Sequence, residues 1–320
     1  MMDLSIVIPL YNEDESIDEL HSKIVSSLSN SSLNYEIIFI DDGSSDNSWN
    51  IIKDVTKRVH NTRAIRFLTN YGKSMALSAG FKSTRGEVVV TMDADLQDDP
   101  NEILQLYNVL INEDYHIVSG WKKKRYDSVI FKNLPSKLFN WAARLSSGIK
   151  LNDFNCGIKA YKSDVIKEIK LTSGMHRYIP VLAKNSGFNK IGEKIVLHHP
   201  RKHGKTKYGA DRFIKGFLDL ITLSFIERFG KRPMHFFGLF GTFILATGLI
   251  FSIYLGIDKL FINTTSRLIT ERPEFYIALA SMIIGSQFFL AGFLGEIILR
   301  NKKLDNYKIK EKINLDEWKN

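Results

Sequence analysis

Three clusters of polar residues in the first hundred positions contain side chains that could bind a phosphorylated ligand. They cover residues 9–13 (PLYNE), 41–46 (DDGSSD) and 93–99 (DADLQDD). In the third cluster, Asp93, Asp95 and Gln97 offer oxygen ligands at alternate positions. Mg²⁺ and Mn²⁺ prefer such ligands and share phosphate oxygens with a bound nucleotide. A solvated turn is the alternative, since acidic residues are common between a strand and a helix.

Each cluster follows a short apolar segment, and the chain between the clusters predicts alternating strands and helices. The predicted strands are 5–9, 36–40, 64–68, 87–92 and 116–119. This alternation favours an α/β fold with a mostly parallel sheet and helices on both faces. Ligands bind beyond the carboxyl ends of such strands, so we expect the clusters to converge on one cleft. Asp99 and Pro100 then predict a helix start, with Asp99 as the N-cap.

Composition and missing motifs exclude several classes of protein. No G-x-G-x-x-G follows the first predicted strand and the chain has no G-x-x-x-x-G-K-[ST], so we expect neither a dinucleotide site nor a P-loop. The single cysteine, Cys156, excludes an internal disulfide and is typical of a reducing compartment. A formal net charge of +9 predicts an anionic partner. Nucleic acid is not expected, since the basic loops flank an acidic cluster and a membrane segment.

Two long apolar runs in the last ninety residues predict membrane-spanning helices. Residues 234–257 and 275–295 contain no Asp, Glu, Lys or Arg, and roughly 20 apolar residues span a bilayer core. A pair of buried core helices is the alternative, but globular helices of this length usually keep a polar face. Basic residues lie outside both ends of the pair, which predicts cytoplasmic flanks and a short external loop. These residues are Arg228, Lys231, Arg232, Arg300, Lys302 and Lys303.

The three clusters resemble the motifs of glycosyltransferase family 2. The matching segments are IPLYNE (8–13), IDDGSSD (40–46) and MDADLQDDP (92–100). The subgroup that the chain resembles is the polyprenyl-phosphate glycosyltransferases, which includes dolichyl-phosphate mannosyltransferase. The likeness extends over the whole chain, including both apolar runs, and three motifs in this order are far more specific than any one alone. It implies a GT-A-like α/β fold.

The resemblance implies a role for each cluster. The first two clusters hold the nucleoside of a nucleotide-sugar, and the implied residues are Pro9, Tyr11, Glu13 and Asp42. The third cluster works through the diphosphate and a bound Mg²⁺ or Mn²⁺ ion, and the implied ligands are Asp93, Asp95 and Gln97. The alternatives are that Tyr11 is only an aromatic residue at the rim of the cleft and that Asp42 only forms a turn.

Basic residues after the fifth predicted strand are candidates for binding an acceptor phosphate. A run of basic residues is usually a solvated face, but in the family that the chain resembles, positive residues in this region contact the lipid phosphate. This likeness implies Lys122 and Arg125, and also Lys137, which stands where the family often has arginine. Lysine offers a point charge there rather than a two-pronged contact.

Two further segments match the subgroup. Residues 152–159 (NDFNCGIK) include Asp153, at the position of a catalytic carboxylate. A phosphate acceptor has a second pKa of roughly 6 and arrives as an anion, so we expect Asp153 to position the acceptor or the sugar, with general base as the alternative. Residues 201–208 (RKHGKTKY) resemble a loop that closes over the diphosphate, with Arg201 and Lys207 on the leaving group. A basic patch attracted to anionic lipid is the alternative there.

The resemblance implies inverting transfer of a sugar from a nucleotide-sugar to a polyprenyl phosphate, with undecaprenyl as the lipid. UDP is the preferred nucleotide, and GDP-mannose is the other candidate. A processive polysaccharide synthase is one alternative, but its Q-x-x-R-W element is missing from the sequence. A non-catalytic membrane scaffold with a degenerate transferase domain is the second alternative.

The expected organisation is a multi-pass protein of the cytoplasmic membrane whose catalytic domain faces the cytosol. The N-terminus lacks the basic start and long apolar core of a secretory signal, which favours that placement. Small residues in the spans would allow a homo-oligomer. The expected regions are a GT-A-like domain (1–208), an amphipathic juxtamembrane helix (209–232), two spans with an external loop (233–299) and a basic cytosolic tail (300–320).

Overall fold

The computed structural model forms two compact units, Met1–Leu220 with Leu304–Asn320, and Ile221–Lys303. The residues that it describes are 2–123, 140–141, 143–145, 147–171, 174–200, 202, 233–263, 268–300 and 309–313. The expected juxtamembrane helix lies outside these residues. So do most of the tail and four predicted site residues, Arg125, Lys137, Arg201 and Lys207.

The described part of the first unit is built on an eight-stranded sheet in the order β7-β5-β6-β4-β1-β2-β3-β8. The strands are β1 (Leu4–Leu10), β2 (Tyr35–Asp41), β3 (Thr62–Phe67), β4 (Val88–Thr91), β5 (Ile117–Trp121), β6 (Lys159–Lys162), β7 (Ile191–Ile195) and β8 (Ile309–Ile313). Neighbours among β1 to β4 pair in parallel, as do β5 and β7, whereas β6 and β8 are antiparallel to their neighbours. The five predicted strands are therefore confirmed, and so is the mostly parallel sheet.

Helices cover both faces of this sheet. They are α1 (Ile17–Leu28), α2 (Ser48–Arg58), α3 (Lys73–Ser83), α4 (Glu102–Asn112), α5 (Ser163–Glu168) and α6 (Ile179–Asn185). Successive side chains of β1 point to opposite faces, so Ile6 and Ile8 pack with α1, α2 and α4, whereas Val7 packs with α3, α5 and α6. Strands covered on both faces are apolar throughout, and every residue of β1 and β4 is buried.

The predicted start of the helix after the third cluster is wrong. Helix α4 begins at Glu102 with Asn101 at its N-cap, rather than at Pro100 with Asp99 as the cap. In a capping box, Glu102 would bond back to the backbone N–H of Asp99. Its buried carboxylate instead accepts hydrogen bonds from the Lys194 ammonium (2.7 Å) and the Leu197 backbone N–H (3.0 Å). Asp99 instead accepts the N–H of Asn101 (2.9 Å) in the turn before the helix.

Strand β8 was not predicted from the sequence, which placed residues 309–313 in a basic tail. It pairs antiparallel with β3 at the edge of the sheet. The indole N–H of the buried Trp49 donates to the Glu311 carboxylate at 2.7 Å. The chain therefore returns to the first unit after it leaves the second.

The second unit contains two long apolar helices, α7 (Pro233–Ile257) and α8 (Pro273–Arg300). Both are long and apolar enough to cross a membrane, with mean hydropathies of 2.1 and 1.9 in their most apolar windows, and only 17% of each window is buried. Core helices of a soluble protein would be mostly buried, so this exposure favours lipid-facing helices. Glycines lie where the two helices touch, because a Cβ added to Gly241 would lie 2.6 Å from the Phe289 nitrogen, and one added to Gly285 would lie 2.5 Å from the Leu245 nitrogen.

We predict that Gly285→Leu forces α7 and α8 apart. Leucine at that contact would overpack it at a cost of about 1–3 kcal/mol, and the measurement is the thermal unfolding midpoint in detergent micelles. Gly256→Leu is the matched control, because no described atom lies within 4 Å of a Cβ added to Gly256. Equal midpoints for the two variants would contradict the close packing of the helices.

Candidate active site

The three predicted clusters lie side by side at one edge of the sheet. Strands β4, β1 and β2 are neighbours and run parallel, so their carboxyl ends meet at the same edge. The first and second clusters are in direct contact, since the Asn12 N–H donates to Ser44 Oγ (2.9 Å) and the Ser45 N–H donates to Asn12 Oδ1 (2.9 Å). The Glu13 N–H also donates to Ser48 Oγ at 3.0 Å.

The implied nucleoside residues have different environments. Pro9 lies inside β1 and is buried, Glu13 is half-buried, and the Tyr11 side chain is exposed at the end of the strand. Asp42 is buried, and its carboxylate accepts the backbone N–H groups of Tyr71 (2.7 Å) and Gly72 (2.9 Å). Burial raises the pKa of Asp42 to about 6, and the two backbone bonds only partly oppose that rise.

Lys73, the first residue of α3, links the second and third clusters. It follows Gly72, which bonds Asp42, and its ammonium forms an ion pair with the Asp93 carboxylate. Burial alone would raise the pKa of Asp93, but Lys73, with Lys122 and His176, holds it at about 2. Asp93 is therefore an anion at neutral pH, with a lysine as its counter-charge.

The third cluster exposes alternate side chains. Asp93, Asp95 and Gln97 are half-buried, whereas the residues between them are buried. Leu96 has a φ of 60°, which is uncommon for leucine, so the chain turns sharply between Asp95 and Gln97. The metal-binding role implied for these three side chains stays a prediction.

The donor groups of the third cluster fit a divalent metal that is bound together with a diphosphate. Across the described part of the chain, no three His, Cys, Asp or Glu side chains are grouped closely enough to hold a metal ion. Mg²⁺ needs no such cage, because it is usually held by one or two carboxylates together with substrate phosphates and water. The two half-buried carboxylates of Asp93 and Asp95 and the amide of Gln97 match that need. Lys73 balances the charge of Asp93 through their ion pair.

Asp153 lies in a loop that packs against the third cluster. A Cβ added to Gly157 in this loop would lie only 2.5 Å from Asp93 Oδ2, so the approach requires glycine. Asp153 is buried, its N–H donates to Glu193 Oε1 (2.9 Å), and its Oδ1 accepts the N–H of Asn155 (3.1 Å). Its predicted contact with the acceptor or the sugar stays a prediction.

Lys159, the first residue of β6, stabilises the loop that carries Asp153. Its buried ammonium donates to the Phe154 carbonyl at 3.2 Å and to the Cys156 carbonyl. Burial lowers the pKa of Lys159, and the nearby Cys156 and Asp153 oppose that change. The loop that carries Asp153 is thus fixed at two carbonyls by a buried lysine.

Lys122, a predicted acceptor residue, is committed to an internal ion pair. Its ammonium lies 2.6 Å from Asp98 Oδ1, and both side chains are largely buried. Burial would lower the pKa of Lys122, but Asp98 outweighs that effect and the pKa is raised. Lys122 therefore carries a permanent charge beside the third cluster, and its contact with an acceptor phosphate stays a prediction.

The residues that lead into the second basic loop also contact the third cluster. The His199 N–H donates to the Gln97 carbonyl (2.8 Å), and His199 Nε2 lies 3.1 Å from Asp99 Oδ2. The described chain therefore enters the 201–208 segment from beside the proposed metal ligands. The roles implied for Arg201 and Lys207 stay predictions.

Two residues near Asp93 were not predicted from the sequence. Lys73 could have been found from the Gly72–Lys73 pair, which follows a predicted strand whose end lies at the same edge of the sheet. The ring of His176 contacts Ser74, the neighbour of Lys73, although 102 positions separate His176 from Ser74 in sequence. No spacing pattern marks His176, because only the tertiary fold brings it to this edge.

The chain matches a family model and curated relatives over most of its length. The model described as "Glycosyl transferase family 2" matches residues 5–170. A dodecaprenyl-phosphate galacturonate synthase of Rhizobium johnstonii is 33% identical over 95% of this chain and 90% of that protein. An undecaprenyl-phosphate 4-deoxy-4-formamido-L-arabinose transferase of Shewanella sediminis is 35% identical over 93% of this chain and 87% of that protein.

Solved structures share the fold. Glucosyl-3-phosphoglycerate synthase from Mycobacterium tuberculosis, in complex with Mn²⁺, UDP and glucosyl-3-phosphoglycerate, superposes with a TM-score of 0.53. The sequence identity is 18%, and the match covers 68% of this chain and 80% of that one. A second structure of that enzyme contains Mg²⁺ and UDP. The GT-A-like fold expected from the sequence is confirmed.

We predict that the buried Asp42 carboxyl makes the protein less stable as the pH rises. The folded-state pKa is raised from 3.8 to about 6, so the folded protein binds more protons than the unfolded chain between these values. This group therefore lowers the unfolding free energy by up to about 3 kcal/mol as the pH rises from 4 to above 6. Asp42→Asn should remove that contribution.

The measurement for Asp42 is the difference in unfolding free energy between wild type and Asp42→Asn at several pH values from 4 to 7. Asp54→Asn, at an exposed position of α2, is the control and should leave the wild-type slope unchanged. A difference that does not vary with pH would contradict the raised pKa.

Proposed function

The chain belongs to glycosyltransferase family 2, and on that premise we propose that it transfers a sugar from a nucleotide-sugar to a polyprenyl phosphate. The observation that carries the proposal is the likeness to two transferases, each named for a polyprenyl-phosphate acceptor, over at least 93% of this chain. The contacts among the strand-end clusters support it, because they bring together, at one edge of the sheet, residues proposed to hold the nucleoside and the diphosphate.

On the donor side, we propose that the nucleoside is held by Pro9, Tyr11, Glu13 and Asp42. The Tyr11 side chain is exposed at the end of β1, and Asp42 is fixed in place by two backbone N–H groups. UDP is the preferred nucleotide, and the structural neighbours that contain UDP support that preference. GDP-mannose is the second candidate donor.

The metal proposed for this site is Mg²⁺ or Mn²⁺, held by Asp93, Asp95 and Gln97. Neighbours of the same fold contain these ions. When bound, such a metal neutralises negative charge on a departing diphosphate. Lys73 neutralises Asp93 within the protein, and we propose that Arg201 and Lys207 add positive charge on the leaving group.

The proposed reaction is a direct displacement with inversion at the anomeric carbon. An oxygen of the lipid phosphate forms the new bond to that carbon, while the bond to the nucleoside diphosphate breaks on the opposite face. No proton needs to be removed, because the phosphate is already an anion above its second pKa of roughly 6. Lys122, Arg125 and Lys137 are the proposed acceptor contacts, and Asp153 the proposed positioning residue.

We propose that the protein is a multi-pass protein of the cytoplasmic membrane with its catalytic unit in the cytosol. The chain leaves the first unit before α7 and returns to it in β8 after α8. Two crossings bring the chain back to the side from which it left, so both flanks of the pair lie on one side. The basic residues in those flanks favour the cytoplasmic side.

The proposed reaction predicts that one radiolabelled nucleotide-sugar will label polyprenyl phosphate. Purified protein in detergent receives Mg²⁺ or Mn²⁺, undecaprenyl phosphate and, in turn, each of a panel of UDP- and GDP-sugars. Label in the organic phase is counted. Asp95→Ala should reduce transfer by at least about 100-fold, because it removes a proposed ligand of the metal that would neutralise charge on the leaving diphosphate.

Asp54→Ala is the matched control, since this carboxylate is exposed on α2, and it should transfer at the wild-type rate. Wild-type transfer by Asp95→Ala would exclude the proposed role of Asp95. Failure of folded wild-type protein with every donor would contradict the reaction itself.

A second prediction separates positioning by Asp153 from proton removal. Asp153→Asn should lower kcat more than tenfold, because it removes the carboxylate that is proposed to position the acceptor or the sugar, while its amide oxygen can still accept the Asn155 N–H. The rate should fall below pH 6 in both wild type and variant, since the acceptor phosphate then gains its proton. If the variant alone loses this pH dependence, Asp153 is a base. Retention of more than a tenth of turnover would make its positioning role minor.

A further inference from the structure

His176 is held next to the proposed diphosphate site by a double contact with Ser74. It lies in a short 3₁₀ helix, Met175–Tyr178. Its backbone N–H donates to Ser74 Oγ at 3.0 Å, and its Nδ1 lies 3.0 Å from the same oxygen. Ser74 is buried and follows Lys73, whose ammonium pairs with Asp93. The imidazole is therefore fixed one residue away from the counter-charge of Asp93.

The contact with Ser74 involves one ring nitrogen of His176, Nδ1. Ser74 Oγ accepts the His176 backbone N–H, so its own O–H is available to donate to Nδ1. Burial lowers the pKa of His176 well below its usual value, and Lys73 and Arg177 lower it further, against Asp93. In the neutral tautomer in which Nδ1 accepts from the Ser74 hydroxyl, the ring proton lies on Nε2.

The Nε2–H group is left for a ligand. His176 is only half-buried, although Nδ1 is enclosed by Ser74. Among the described residues, Nε2 has no hydrogen-bond acceptor. A polar hydrogen that points away from its structural anchor, beside Asp93, is suited to bind an oxygen atom of a substrate.

We propose that His176 is a donor-recognition residue whose Nε2–H donates a hydrogen bond to a hydroxyl oxygen of the transferred sugar. This inference rests on the proposed function and deepens it. A neutral imidazole suits a neutral hydroxyl, whereas a charged group such as the proposed metal suits a diphosphate. A site built to bond a hydroxyl discriminates strongly against sugars that lack it.

Two substitutions of His176 separate its two nitrogens. The amide of Asn reaches the position of Nδ1 and can keep the contact with Ser74, whereas the amide of Gln reaches the position of Nε2. We expect His176→Asn to lower the affinity for the nucleotide-sugar donor about tenfold or more, the effect of one lost hydrogen bond to a substrate. The affinity for the free nucleoside diphosphate should change less than about twofold. His176→Gln should recover most of the donor affinity.

The probes are UDP and the UDP-sugars of the donor panel, with GDP and GDP-mannose as a parallel set, titrated calorimetrically into full-length protein in detergent. His60→Asn is the matched control, because His60 is exposed, and it should bind each probe like wild type. The thermal midpoint of each variant is measured as well. If His176→Asn does not fold, the comparison of His176→Gln with wild type decides, and a loss of affinity for sugar and nucleotide together would overturn the proposal.

Each remaining outcome has a distinct meaning. Equal donor affinity in wild type and His176→Asn overturns the sugar contact, as does an equal loss of affinity for donor and nucleotide. Binding of a nucleotide-sugar without transfer contradicts the proposed reaction, while the comparison of binding still tests His176. If wild type binds no nucleotide-sugar, both proposals fail.

Discussion

Negative charge crowded at one edge of the sheet is the constraint on which this site depends. Asp42, Asp93 and Asp98 follow two strands of the same parallel set, and isolated buried carboxylates are costly unless they are paired or hydrogen-bonded. Each is compensated in its own way: Asp42 by two backbone N–H groups, Asp93 by Lys73 and Asp98 by Lys122. The carboxylates at this edge are therefore held by partners within the protein before any ligand binds.

Much of this arrangement could be predicted from the sequence, because the parallel strands are apolar and the clusters follow them directly. The start of α4 could not be predicted, because the Glu102 carboxylate accepts hydrogen bonds from residues far away in sequence. These are Lys194 in β7 and Leu197 just after it. Strand β8 was hidden by its charged residues, and only pairing with β3 makes it a strand. The position of His176 could not be predicted, because only the tertiary fold brings it close to Ser74. The two apolar runs were evident in the sequence, because about 20 apolar residues without a charge are typical of a membrane span.

Strand β8 completes the edge of the sheet beside β3. An unpaired edge strand would leave the backbone groups of β3 open to pairing with other chains, and β8 covers them. The bond from the Trp49 indole to Glu311 anchors this strand to α2, far from the helices in sequence. Strand β8 is thus a structural part of the first unit, although it follows the second unit in sequence.

The approach of Gly157 to Asp93 joins the two halves of the proposed reaction. The loop from Asp153 to Gly157 is fixed from below by Lys159 and abuts the carboxylate that is proposed to hold the metal. The Thr91 hydroxyl at the end of β4 donates to the Gly157 carbonyl at 2.9 Å. This bond ties the loop to the strand that leads into the third cluster. The residue proposed to position the acceptor, Asp153, and the residue proposed to act on the diphosphate, Asp93, therefore lie on segments that are in direct contact. In-line displacement needs this coupling, because nucleophile and leaving group must stand on opposite faces of the same carbon.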